Sequence, residues 1–336
     1  MSQLKDVACL AGVSVSTVSR VINASAFVEP ETAKRVEEAI RKLNYRPNLL
    51  ASGLKLKSSR LIGVVVPDFS LPTFVSLIQY ISEYCHSYDY EVVIGLHHDS
   101  STEEAKIVDS FLRRNVDGLL LSLVSDESRV FEVLRNSDVT TVIFDRAIKN
   151  AEFSSVVLDN YMAGCIAAEH LLSLGHRNIA CICGAETVNL SRERTRGFSD
   201  TLAKHGVDLL QRNIRSGDFG FTSGYNAVSE IVYKDRTDIP TAIWAQSDMM
   251  ALGAIRYLNN IGMNVPGDIS IIGMDNNFVS EITSPSLTTV SQPLKAMSKK
   301  AVDLFLAAKK ASIQNEVFTF QPRLIVREST FPIDAE

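Results

Sequence analysis

Leu4-Lys5-Asp6-Val7-Ala8-Cys9-Leu10-Ala11-Gly12-Val13-Ser14-Val15-Ser16-Thr17-Val18-Ser19-Arg20-Val21-Ile22-Asn23 decides how the start of this chain folds. Leu4, Val7, Ala8 and Ala11, then Val18, Val21 and Ile22, recur at helical spacing, and Gly12-Val13-Ser14 interrupts them. The spacing predicts two short helices joined by a tight turn. Ala8 is small enough for the second helix to approach, Gly12 tolerates a positive φ, and Ser14 can cap the second helix. A third helix is expected over 30–43, with Pro30 at its first position and Val36, Ala39, Ile40 and Leu43 on one face. Any small three-helix bundle could carry that pattern. The second helix, however, presents Val15, Ser16, Thr17, Ser19 and Arg20 at its start and outer face, a short polar surface suited to the major groove of DNA.

Charge separates this head from the remainder of the chain. The 336 residues carry a net charge of −5. Residues 1–60 hold ten Lys and Arg against five acids, a charge of +5, which leaves −10 for the rest. A basic head on an acidic body is the asymmetry expected when one end alone meets a polyanion. With 46% hydrophobic and 22% charged residues the chain can bury sizeable cores, and its apolar runs are strand-sized, far short of the roughly 20 residues of a spanning helix. Polar residues at the start break any export signal, so a cytoplasmic protein is expected. Five cysteines fit that compartment, Cys181 and Cys183 alternating along a strand as buried small hydrophobes.

From Leu61 onward short apolar runs alternate with amphipathic stretches. Strands are expected over 61–66, 91–95, 118–122 and 140–144, with helices over 74–87 and 103–115. The rhythm restarts with strands over 156–158, 179–183, 242–245 and 269–272, and helices over 162–174, 194–205, 223–233 and 249–261 between them. Two doubly wound, parallel α/β lobes are the expected fold class, behind an all-α head. The expected boundaries are 1–45 for the head, 46–59 for a linker and 60–336 for the body. No G-x-G-x-x-G at a strand end, Walker A, G-x-S-x-G or H-E-x-x-H is present, so common enzyme classes have no motif to rest on, and no cofactor or metal is expected. His97-His98 is expected in an exposed loop, Trp244 in the core, and Asp248 as the cap of its helix.

Lys5-Asp6-Val7-Ala8, Ala11-Gly12-Val13-Ser14, Ser16-Thr17-Val18-Ser19-Arg20-Val21-Ile22-Asn23 and Leu43-Asn44-Tyr45-Arg46-Pro47-Asn48 together closely resemble the head of the lactose-repressor (LacI/GalR) family of bacterial transcription regulators. The resemblance implies that Val15 and Ser16 face base edges and that Arg20 donates two hydrogen bonds to a guanine. It implies phosphate contacts for Thr17, Ser19, Asn23 and Tyr45. Glu29 departs from the family's preferred Ser at the start of the third helix, and its charge can neither donate to a phosphate nor sit near one without cost. In the linker, Asn48 can cap a short hinge helix over 49–54. The family likeness makes Leu54 a minor-groove wedge, flanked by Lys55 and Lys57 for phosphates. Gly53 weakens such a helix, so it is expected to form on DNA.

The likeness continues through the body, which in this family looks like a periplasmic sugar-binding protein, with landmarks such as Arg194-Thr195-Arg196-Gly197-Phe198 and Gly273-Met274-Asp275. Such folds bind small molecules in the crevice between two lobes. Asp275 and Arg194 stand at positions equivalent to effector-binding residues, Phe219 matches an aromatic wall, and Asp145, Thr73 and Ser247 are further candidates. Ser247 stands where many relatives place Asn or Thr. A homodimeric repressor is therefore expected, binding a palindromic operator and responding to a small ligand, a sugar or sugar derivative. No heptad extension is present in 331–336, so a tail-mediated tetramer is not expected. The alternatives are a regulator that needs a corepressor or partner protein, and a cytosolic sugar-binding protein or enzyme with an incidental head.

Overall fold

The computed structural model describes residues 3–23, 26–45, 58–125, 128–146, 153–232, 238–310 and 315–333. Residues 1–59 and 60–336 are two compact units.

The first unit holds α1 (Leu4–Ala11), α2 (Val15–Asn23) and α3 (Pro30–Lys42). Gly12 ends α1 at φ 64°, and its N–H reaches back to the carbonyls of Ala8 and Cys9. That left-handed residue turns the chain within three positions. Val7, Ala8, Ala11, Val18, Val36 and Ala39 are buried together, with Leu4, Val21, Ile22, Ile40, Leu43 and Tyr45 packed around them. The apolar spacing of the sequence thus becomes one three-helix core.

In the second unit β1 (Leu61–Val66), α4 (Pro72–His86), β2 (Glu91–Leu96), α5 (Ser101–Arg113), β3 (Gly118–Leu121), α6 (Val130–Arg135), β4 (Thr140–Asp145) and β5 (Ser154–Leu158) build the first lobe. α7 (Asn160–Ser173), β6 (Ile179–Cys183), α8 (Asn189–Lys204), β7 (Ile214–Ser216), α9 (Phe221–Val232), β8 (Ala242–Ala245), α10 (Asp248–Asn260), β9 (Ser270–Asp275), α11 (Val279–Ile282) and β10 (Thr288–Ser291) build the second. The chain then returns through α12 (Leu294–Lys310) to β11 (Val317–Phe320) in the first sheet and crosses back to β12 (Arg323–Ile325) in the second. The strand orders are β11-β5-β4-β3-β1-β2 and β12-β10-β9-β8-β6-β7. Near-continuous Val, Ile and Leu in the central strands reflects helices on both faces, as in other parallel sheets.

Three sequence expectations change. The strand over 156–158 does not begin the second lobe; as part of β5 it pairs with β4 in the first sheet. The sheets are not wholly parallel, since β12 runs antiparallel to β10 at the edge. His97 is fully buried, and its Nε2 lies 2.9 Å from the carbonyl of Ser122, a structural bond at the end of β2. Trp244 is core, as expected, stacked at a tilt on Phe198. All five cysteines are free, and Cys181 and Cys183 are buried.

Candidate functional site

Two surfaces concentrate the candidate residues. On the head, Ser14 caps α2 as its spacing predicts, accepting the N–H of Thr17 at 3.1 Å. The same hydroxyl lies 2.7 Å from that of Ser16 and 2.8 Å from that of Thr17, so the cap also positions the first polar side chains of α2. Val15, Ser16 and Arg20 are exposed; Thr17 and Ser19 are half-buried. An exposed valine at a helix start is unfavourable in water and suits contact with a thymine methyl. Tyr45 is half-buried against the head core, and Asn23 is the last residue of α2. Leu54 and Lys55 lie outside the described residues, as does the linker over 46–57.

In the body, Asp145 and Asp275 are the last residues of β4 and β9, at the carboxyl ends of two parallel strands, one in each lobe. The backbone there is unusual. Asp145 sits at φ 68°, Phe219 at 68°, Asp275 at 113° and Asn276 at 57°. The N–H of Arg146 closes a three-residue turn onto the carbonyl of Phe144 at 2.8 Å, which projects Asp145 and Arg146 from the strand end. Each such non-glycine residue costs roughly 1 to 3 kcal/mol and persists where the surroundings hold it. Three of the four, all but Asn276, line one cavity of about 210 Å³, whose lining also includes Thr73, Arg146, Arg194 and Gln292.

Arg194 is almost fully buried. Its Nε donates to Asn160 Oδ1 at 2.8 Å and its Nη1 to the carbonyl of Gln246 at 3.0 Å. Burial lowers its pKa, while Asp275 and Asp145 oppose that shift. Asp275 accepts from Thr73 Oγ1 at 2.9 Å, a bond across the crevice, and from Gln292 Nε2 at 2.6 Å. Burial pushes its carboxyl up to about 6 despite the pull of Arg194 and these two donors. Asp145 is likewise raised by burial, opposed by Arg146, Arg194 and the 3.2 Å bond from Ser122 Oγ. Phe219 forms a wall, its ring packed on Gly184.

Five of the six crevice candidates therefore line one cavity. Ser247 does not: it caps α10, accepting the N–H of Met250 at 3.0 Å, and donates to the carbonyl of Phe219 at 2.7 Å. It supports Phe219 from behind. Asp248 is then not the cap. It accepts from Thr289 Oγ1 at 2.6 Å and from the N–H of Asn277 at 2.7 Å, and so holds the turn just beyond Asp275. Burial, reinforced by Asp275, raises its pKa well above the usual range. Gln292, Asn160 and Gln246 were not among the sequence candidates. Gln292 and Gln246 could have been found, because each comes directly after a parallel strand, β10 and β8; Asn160 carries no such signal. Among the described residues, no group of His, Cys, Asp and Glu is arranged to hold a metal.

Residues 3–48 match the family model for bacterial regulatory proteins of the lacI family, and residues 168–330 match a periplasmic binding protein-like domain. The chain is 34% identical over 336 residues to the HTH-type transcriptional repressor PurR of Actinobacillus pleuropneumoniae serotype 3 (strain JL03), covering 98% of each. Among solved structures it is similar to a lac repressor dimer bound to operator and the anti-inducer ONPF (28% identity, 98% of this chain and 99% of that one, TM-score 0.88). It is also similar to a complex of the transcriptional regulator CelR with cellobiose (29% identity, 98% and 100% covered, TM-score 0.75).

Proposed function

Because the chain belongs to the lacI family of bacterial regulatory proteins and is a DNA-binding transcriptional repressor, we propose that a neutral, single-ring sugar held in the crevice of its body sets its affinity for operator DNA. One observation carries the ligand reading: hydrogen-bonding side chains from both lobes and two aromatic rings, Phe74 and Phe219, converge on a single cavity. Sugars are recognised by paired charged groups at their hydroxyls and by an aromatic face against their C–H surface. The volume, about 210 Å³, falls below the roughly 300 to 1,000 Å³ of sites for drug-sized ligands, which favours one ring. The lining holds five aspartates, Asp68, Asp99, Asp145, Asp218 and Asp275, against Arg146 and Arg194, a balance that disfavours a phosphorylated sugar.

In this reading Arg194, Asp275, Asp145, Thr73 and Phe219 bind the ligand, and Ser247 acts through Phe219. Val15, Ser16 and Arg20 read bases, while Thr17, Ser19, Asn23, Tyr45 and Lys55 hold phosphates and Leu54 wedges the minor groove. We place the protein in the cytoplasm with its DNA, as a homodimer on a palindromic operator, and take the α/β unit as a sensor, not an enzyme. No helix among the described residues is long and apolar enough to cross a membrane.

Thr73 already bonds Asp275, so a ligand that takes over the Asp275 carboxylate must break or replace a bond between the lobes. That exchange gives the ligand a differential affinity for two lobe arrangements, which is what any shift in DNA affinity requires. A gel-shift titration of the full chain on a palindromic operator, with a panel of unphosphorylated sugars and purines, tests the reading. Release by one sugar means induction, and tightening by one sugar means corepression. Response to a purine alone, or no duplex binding at low salt, would overturn it.

A further inference from the structure

Gln246 is fully buried directly beyond the carboxyl end of β8, and it does not line the cavity. Its side-chain amide is nevertheless bonded at every position. Oε1 accepts from the N–H of Gly184 at 3.0 Å and from Ser191 Oγ at 2.8 Å. Nε2 donates to Thr195 Oγ1 at 2.8 Å and to the carbonyl of Ser191 at 3.3 Å. Two acceptances and two donations are all that a primary amide can make. The Gly184 N–H can only donate, so the atom facing it is the oxygen, and the backbone thereby fixes which way the amide points.

Each of these bonds ends beside a crevice residue. Gly184 follows β6 and seats the Phe219 ring, whose Cζ would lie 2.0 Å from a Cβ placed there. Ser191 and Thr195 flank Arg194 at the start of α8. The main chain of Gln246 adds a third tie, its carbonyl accepting from Arg194 Nη1 at 3.0 Å. The next residue, Ser247, donates to the carbonyl of Phe219 at 2.7 Å. Gln246 and Ser247 together therefore hold both the guanidinium and the aromatic wall. An apolar side chain of similar size would fill this part of the core without a polar group to desolvate. What the amide adds is direction, because a buried network with every member paired fixes a single arrangement of the elements that it joins.

We propose that Gln246 is a positioning residue for the ligand: its amide locks the start of α8 to the backbone beneath Phe219, and so sets the separation between the Arg194 guanidinium and the aromatic wall. The inference rests on the crevice reading above and names what makes that site selective. Recognition groups discriminate when they are held to within about 0.5 Å, which is the task of the bonds behind them. A sugar laid against Phe219 presents its hydroxyls at fixed heights, and those that meet Arg194 at the locked separation are preferred. Loosening the lock then costs discrimination as well as affinity.

The test is calorimetric titration of the full chain with unphosphorylated pentoses and hexoses, epimers of the preferred sugar included. It compares the native protein, Gln246→Met, Thr195→Val and the double variant, below the melting transition of all four. Methionine keeps the length of the side chain without its four bonds, and valine replaces the hydroxyl that Nε2 reaches. We expect Gln246→Met to bind the preferred sugar roughly ten- to a hundredfold more weakly and Thr195→Val about three- to tenfold. Both should narrow the ratio of affinities between the preferred sugar and its epimers. In the double variant the losses should not add, because the Thr195 bond acts through Gln246. A residue that merely stabilises the fold would lower the melting temperature and leave affinities and ratios untouched. Native affinity in both single variants, equal loss for every sugar, or additive losses would overturn the assignment. If Gln246→Met does not fold, Thr195→Val and Ser191→Ala, which spare the Gly184 bond, decide the matter by the same narrowing of the epimer ratio. If the native chain binds no sugar of the panel, the crevice reading fails and this inference with it, a result seen without any variant.

Discussion

A methyl group on Gly184 would fall on the ring of Phe219, since an ideal Cβ there lies 2.0 Å from the ring's Cζ. The ring walls the cavity, so a shift away from the new methyl changes the shape of the site. Gly184→Ala is expected to abolish the response to ligand while operator binding without ligand is retained, as read by titrating operator with and without sugar. The Asp275 carboxyl makes a second residue-scale prediction. Its folded pKa, raised to about 6, exceeds the ordinary 3.8, so the folded chain favours the protonated form. Stability from this group is fully present below about pH 4, is lost as pH rises through 6, and is then constant; a shift of this size corresponds to about 3 kcal/mol. Asp275→Asn should therefore lack an increment of melting temperature that the native chain gains on acidification from pH 6.5 to 4.5. It should also lose the ligand response while keeping operator affinity. Equal slopes of melting temperature against pH for both chains would contradict the assignment. Arg20→Ala, on the head, should cost about 1 to 3 kcal/mol on the preferred operator and much less on a duplex altered at the contacted guanine, a difference visible in competition gel shifts.

Among the elements, α3 carries an identifiable weakness. Glu29 precedes Pro30 at its start and makes no side-chain cap bond, although Glu31 lies in the first turn. Glu29→Ser supplies the missing acceptor and removes a negative charge from a DNA-facing unit. It should raise head stability by about 1 kcal/mol and strengthen binding to non-cognate duplex at low salt, measured by melting and by fluorescence titration. How much of each element the sequence showed depends on where its information lies. The 3.6-residue apolar spacing of Leu4, Val7, Ala8 and Ala11, and the run Leu61–Val66, are local, and both elements lie where that spacing places them. The sheet to which β5 belongs is not local: only pairing with β4 decides it, and an apolar run reads the same in either lobe. The return of α12 and β11 to the first lobe is hidden for the same reason, and β12 is too short to show its direction. In the crevice, the family resemblance singled out Arg194, Asp275 and Phe219, whose charge and aromatic type suit a sugar. A serine before a helix reads equally as ligand contact or cap, and at Ser247 the N–H of Met250 settled the choice.

At the scale of the whole body, the chain passes between the sheets three times, after β5, after β10 and after β11. Two of those crossings are bonded directly to crevice residues. Asn160, at the first, accepts from Arg194, and Gln292, at the second, donates to Asp275. The third is tied to the first by Gln321 Nε2, which donates to Asp159 Oδ2 at 3.3 Å. A ligand that draws on Arg194 and Asp275 therefore acts on the segments that join the two lobes. Asn160 does not line the cavity, so Asn160→Ala separates this coupling from direct contact. If the crossings carry the response, the factor by which sugar changes operator affinity, typically about 5- to 150-fold in such systems, falls toward one in the variant. Sugar affinity falls less, because Arg194 keeps its bond to Gln246. Reciprocity supplies an internal check: operator must change sugar affinity by the same reduced factor. Operator and sugar dissociation constants, each measured with the other ligand absent and saturating, give both ratios. A variant whose factor stays at the native value while its sugar affinity drops would show that Asn160 merely steadies Arg194 and that the lobes respond through other contacts.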